Sequence, residues 1–161
     1  MAAPDPILHQ SELSREKPMI DNRTAPYALL ILRITLGVLF LAHGGMKLFV
    51  FTPAGTAQFF ISLGLPGLLA HVTIAAEIIG GIALIVGFMP RWAALALIPF
   101  LLGAIFTVHG PAGFFFTNAN GGWEYLALWI VAQVVIVLSG DGAYAVKSSW
   151  MPLRPLSRVE A

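Results

Sequence analysis

Residues 65–89 read LPGLLAHVTIAAEIIGGIALIVGFM, and the fold turns on how this stretch is taken. It is long enough for a helix to cross roughly 30 Å of bilayer hydrocarbon, which needs about 20 apolar residues. Yet Glu77 lies about 12 residues in, some 18 Å along the helix axis. A carboxylate at that depth cannot reach a headgroup and costs at least ~2.5 kcal/mol on insertion. Ala76, Gly80, Ala83 and Gly87 fall at i, i+4, i+7 and i+11, a stripe of small residues that lets a neighbouring helix approach closely. Glu77 borders that stripe, so its carboxylate is expected to point into a helical bundle.

Three similar apolar segments accompany it, over 27–49, 92–110 and 123–140. In lipid every backbone polar group must be satisfied within its own segment or barrel, which makes helices the default. Pro90-Arg91 leaves room only for a hairpin turn between the second and third segments, and Pro99 inside the third predicts a kink. Composition agrees: 58% of the residues are hydrophobic and 11% charged, against about 25% charged in soluble domains. Mean hydropathy is +0.83. The net charge of +1 offers no basic excess to pair with phosphates, so nucleic acid is not an expected partner. Cysteine is absent, which removes disulfides, thiolate metal sites and cysteine nucleophiles together. A redox role would therefore depend on a bound cofactor.

The expected fold is all-α, a membrane four-helix bundle over 27–145, between a disordered arm over 1–26 and a tail over 146–161. The arm mixes charges with four prolines and has no apolar run. The first apolar segment contains Arg33 and runs into His43-Gly44-Gly45-Met46-Lys47, unlike a cleaved signal peptide. With the N-terminus cytoplasmic, Arg15, Lys17, Arg23, Arg91, Lys147, Arg154 and Arg158 share the cytoplasmic side and Lys47 alone lies outside. That asymmetry follows the positive-inside rule and puts both termini in the cytoplasm. Segments 50–64 and 111–122 then face outward. FVFTPAGTAQFFISLGLP from Phe49 is too apolar for a free loop and is read as an interfacial strip, while GPAGFFFTNANGGW from Gly110 could close over a lipophilic ligand.

On the first helix Arg33, Gly37, Phe40, Gly44 and Lys47 share one face, at i, i+4, i+7, i+11 and i+14. Arg33 can snorkel to the cytoplasmic headgroups and Lys47 to the outer ones; His43 is deeper. His109 ends the third segment and Glu124 opens the fourth, both on the outer side; for Glu124 the helix dipole alone is a sufficient reason. His71 is about 120° around the helix from Glu77 and is left as an interfacial histidine. Gln133 is expected to make an interhelical hydrogen bond. Topology thus gathers His43, Lys47, His109 and Glu124 near the outer leaflet, with Glu77 below them, a set suited to proton exchange with a bound molecule.

RITLGVLFLAHGGMK from Arg33, FFISLGLP from Phe59, AAEIIGGIALIVGF from Ala75, His109 followed by Gly113-Phe114-Phe115, and GGWEY from Gly121 together resemble the DoxX family of small four-helix membrane proteins. The resemblance covers about residues 28–145. After the fourth helix the chain reads SGDGAYAVKSS, from Ser139, where the family pattern would lead one to expect a Gly-Pro-Gly ending. The family is similar to the membrane subunits of thiosulfate:quinone oxidoreductases, so the resemblance implies a multi-pass cytoplasmic-membrane location and, more loosely, a quinone-linked component of a membrane oxidoreductase system.

On that reading a lipophilic quinone ring enters beside Phe59, Phe60, Phe115 and Trp123. His43 or His109 donates to its oxygen, Glu77 or Glu124 passes protons, and Lys47 stabilises an anionic form. The electron donor is then a partner subunit or a soluble substrate. His43 and His109 could ligate a haem, but two histidines are a thin signal, and neither haem nor a metal is expected. Two other readings stay open: a proton-coupled carrier, which would need a homo-oligomer to enclose a path, and a non-catalytic subunit or assembly factor whose buried ions only fix packing.

Overall fold

A computed structural model describes residues 20–148; most of the arm and tail expected from the sequence lies outside them. Among the described residues five α-helices follow one another: α1 Ala25–Gly45, α2 Thr52–Ser62, α3 Leu68–Val86, α4 Pro90–Ala104 and α5 Glu124–Ser139. The first and fourth run on into π-helical turns, Met46–Val50 and Ile105–His109. Among the described residues there is no strand, only an isolated bridge between Phe88 and Lys147.

The starts and stops have local causes. Prolines occupy the first turns of α1, α2 and α4, where a missing N–H costs nothing. Gly87 ends α3 in the left-handed region, at φ 72°, as helix-terminating glycines do. Pro99 lies inside α4, and the helix continues past it to Ala104.

With their π turns, α1 and α4 join α3 as three helices long and apolar enough to cross a membrane, Ala25–Val50, Leu68–Val86 and Pro90–His109. The fourth expected segment is shorter: α5 has 16 residues. Its N-terminal end is taken up by a folded loop, in which Trp123 N donates to Gly113 O and Glu124 N to Phe114 O. The strip expected over 49–66 contains a further helix, α2.

Helix α1 packs along α3, and α4 along α5, with α3 and α4 in contact between them. The first pairing is close because a Cβ on Gly37 would come 2.7 Å from both Gly81 O and Ile85 Cγ1. Leu36, Phe40, Leu84, Leu97, Leu101 and Trp129 form the body of the core. The face of α1 expected to look inward does so, with Arg33, Gly37, Phe40 and Gly44 all buried.

Arg33 departs from its expected role. It is 1% exposed and does not snorkel: Nη1 donates to Leu84 O at 3.2 Å and Nη2 to Ala143 O at 2.7 Å. The guanidinium thus satisfies a last-turn carbonyl of α3, where a cation is favoured, and clasps the segment after α5. Around it Ala143 N donates to Pro26 O, Lys147 N to Gly87 O and Met89 N to Lys147 O. These contacts gather the start of α1, the α3–α4 turn and the chain after α5 at one end of the molecule. The π turns, α2 and the 110–123 loop make up the other end.

Candidate functional site

At that second end Lys47 and Glu77 meet. Lys47 Nζ donates to both carboxylate oxygens of Glu77, at 2.8 Å each, and the two side chains are 22% and 10% exposed. The lysine sits in the π turn that closes α1, and such turns recur at functional sites. Thr56 of α2, also buried, donates to Thr52 O at 2.9 Å and lies 3.3 Å from Lys47 O. The short helix is thereby tied to the turn that carries the lysine.

The ion pair borders a cavity of about 530 Å³, within the range of small-molecule sites. His43, Lys47, Glu77 and His109 all line it, as do Phe59 and Phe60 of α2. Pro99, Phe100, Tyr125 and Trp129 add ring and apolar surface. Two lining hydroxyls are already engaged: Thr73 donates to Leu69 O and Thr107 to Gly103 O, both at 2.8 Å. Recognition of a polar ligand group therefore falls to Lys47, Glu77, the two histidines, Tyr125 and the indole N–H of Trp129, which has no partner among the described residues.

The histidines are held differently. His43 rests against Trp129, with ring centroids 5.2 Å apart. His109 closes the π turn of α4, and its Nδ1 is 2.9 Å from Gly121 O.

Of the nine residues selected from the sequence, six line this cavity and three do not. Glu124 lies in an adjoining, more open groove of about 800 Å³ with Phe114, Phe116 and Gly122. Its Oε1 accepts the Phe116 N–H at 2.9 Å, so the carboxylate braces the 110–123 loop. Phe115 is exposed and packs edge-on to Phe114. Trp123 packs edge-on to Phe114 at 4.8 Å and belongs to the same loop. His71 is exposed on α3, apart from the cavity.

Trp129 went unrecognised, although its signal is in the sequence. Tyr125, Trp129 and Gln133 recur at i, i+4 and i+8, one face of α5. Trp129 stacks at 4.6 Å on Phe40 and at 5.7 Å on Tyr125. Gln133 does not make the expected interhelical hydrogen bond: it is 0% exposed, and neither end of its amide has a partner among the described residues.

A helical protein with three potential membrane spans among its described residues and a polar-lipophilic cavity at one end is the class these observations define. The DoxX family profile matches residues 28–110, and the chain belongs to the DoxX family of membrane proteins. It is 34% identical over 125 residues to CatD of Bacillus subtilis, named as a candidate oxidoreductase, covering 74% of this chain and 84% of that one. It is 30% identical over 119 residues to the inner membrane protein YqjF of Escherichia coli, covering 73% and 88%. An uncharacterised protein of Haemophilus influenzae is 36% identical over 127 residues, covering 78% and 92%. No solved structure matches the chain.

Proposed function

We propose that the protein is a quinone-linked component of an inner-membrane oxidoreductase system, and that the cavity beside Lys47 and Glu77 receives the ring. The observation that carries this is the lining itself. Phe59, Phe60, Phe100 and the ring of Trp129 offer flat apolar surface, while His43, Lys47, Glu77, His109 and Tyr125 bring polar groups beside it. A quinone has that division, an apolar ring with oxygens at its edge, and when bound it supplies the electron chemistry that a chain without cysteine lacks. The chain's own part is to hold the ring against the aromatic wall and to meet its oxygens from Lys47 and the histidines. The names of CatD and YqjF are in keeping with a redox role and an inner-membrane location.

In this reading α1, α3, α4 and α5 form a four-helix bundle with both termini cytoplasmic, and the cavity opens in the outer leaflet half. The electron donor is a partner subunit or a soluble substrate.

The ion pair itself favours a second reading. Both oxygens of Glu77 are already satisfied by Lys47, as they would be if the pair served only to fix α1 against α3 in a non-catalytic subunit.

The deciding measurement is an oxidised-minus-reduced absorption spectrum and solvent extract of protein purified in mild detergent, alongside menadione titrations followed by tryptophan fluorescence. Stoichiometric quinone, or quenching that disappears in Trp129→Phe and weakens in Glu77→Gln, is expected. A quinone-free protein that menadione does not quench would leave the structural-subunit reading standing.

A further inference from the structure

His109 lies in the wall between the two cavities and lines both. Its Nδ1 is 2.9 Å from Gly121 O, and Gly121 lines only the outer groove. A carbonyl oxygen can only accept, so Nδ1 must carry the hydrogen. In a neutral imidazole the other nitrogen, Nε2, is then a bare acceptor. His109's hydrogen bond among the described residues is the one through Nδ1, and with Nδ1 turned to the loop, Nε2 is the nitrogen left for a ligand in the inner cavity that the residue lines.

The geometry points to a ligand preference: we infer that His109 Nε2 accepts a hydrogen bond from a ring hydroxyl, so that the cavity selects a phenol- or quinol-type ring over one bearing only carbonyl or ether oxygens. This rests on the ring-binding reading above and deepens it, by saying which form of the ring the site is built to receive. A hydroxyl both donates and accepts, so one group can satisfy Nε2 and also take a hydrogen from the Lys47 ammonium. A carbonyl or ether oxygen serves only the donors and leaves Nε2 unpaired against the ring. An acceptor that the bound ring desolvates and leaves unmet corresponds to roughly a ten- to hundred-fold loss of affinity.

The loop supports the assignment. Gly121 N donates to Asn118 O at 2.8 Å and Gly122 N to Phe115 O at 3.0 Å, and Glu124 Oε1 accepts the Phe116 N–H. Gly121 O is therefore presented by a braced loop, and the tautomer it imposes on His109 is built into the fold.

The test uses the full-length protein in detergent at pH 8, with 4-hexylphenol and its methyl ether as matched redox-inert probes. Binding is read by tryptophan fluorescence after correction for partition into micelles. The phenol should bind at least tenfold more tightly than the ether in the wild type. His109→Asn retains a donor in place of Nδ1 but removes Nε2, and should bring the two probes to similar affinity while preserving the fold. Nitrogen-15 spectra of labelled histidine should show the Nδ1–H form for the signal that His109→Asn removes. Equal binding of phenol and ether by a wild type that still binds menadione overturns the preference and leaves the ring site intact. A preference that persists in His109→Asn, or an Nε2–H tautomer, overturns the role of His109. If no probe binds, menadione included, the ring-binding reading fails and the inference with it.

Discussion

Gly44 of α1 faces Glu77 of α3 so closely that a methyl group on the glycine would lie 3.1 Å from the glutamate Cβ and 2.9 Å from Ile78 Cδ1. The missing side chain lets the two helices come together where the charges meet, and Lys47, three residues further on, closes over the carboxylate. Packing and electrostatics at the cavity are thus one construction.

The ion pair should behave as a coupled unit. Glu77→Leu and Lys47→Met alone should each destabilise the protein by about 1–3 kcal/mol, less than for a fully buried pair because part of Lys47 reaches solvent. The double variant should recover much of the loss, since it strands no charge. Unfolding in detergent followed by circular dichroism, arranged as a double-mutant cycle, measures the coupling; additive losses would show that the two side chains do not depend on each other.

Glycines of the same helix should divide by what they touch. Gly37→Ala drives a methyl group toward Gly81 O and Ile85, and should cost about 1–3 kcal/mol, as overpacking does. Gly45→Ala meets nothing within 4 Å and should be neutral or stabilising by up to about 1 kcal/mol through helix propensity. Thermal unfolding of the pair, side by side, checks the contrast.

Gln133→Leu should stabilise the fold. The amide is buried without a partner among the described residues, and replacing such a group with an apolar one of similar size recovers a desolvation cost of about 1–3 kcal/mol. A higher Tm with menadione quenching unchanged is the expected result. A lower Tm would point to a bound water that completes the amide's hydrogen bonds.

Orientation can be read directly because the chain contains no cysteine. In intact cells Ala119→Cys, in the 110–123 loop, should react with a membrane-impermeant maleimide, while Ser148→Cys should react only after permeabilisation. The opposite pattern would invert the topology drawn from the Lys and Arg distribution.

Much of the site was legible because lipid makes local rules severe. An ionisable residue in an apolar helix must find a partner, so Glu77, Lys47, His43 and His109 stood out individually, and the Arg33–Gly37–Phe40–Gly44 face followed from helical period alone. What escaped the sequence depends on distant chain. Arg33 reads as a snorkelling residue until Ala143, 110 residues later, supplies a carbonyl. Glu124, Phe115 and Trp123 read as cavity residues until the 113–124 backbone folds on itself and turns them to the loop. The π turns leave no compositional mark, and α2 was obscured by an apolar stretch that suits an interface as readily as a helix. Trp129 is readable from its place midway between Tyr125 and Gln133 on one face of the last helix, but an aromatic residue in an apolar helix reads first as core.

The clasp at Arg33 also has a bearing on biogenesis. Its guanidinium enters the bilayer with the first helix, but the two carbonyls it binds follow 51 and 110 residues later. At roughly 5–20 residues per second the later of the two arrives roughly 5–20 s after the arginine itself. Until then the nascent first helix carries a cation without its final partners, a state that headgroups or the insertion machinery must shelter. Closure of the ring of contacts around Arg33 thus has to wait for the segment after the last helix, and a ribosome-stalled chain cut before Ala143 should be more open to proteases than the finished protein.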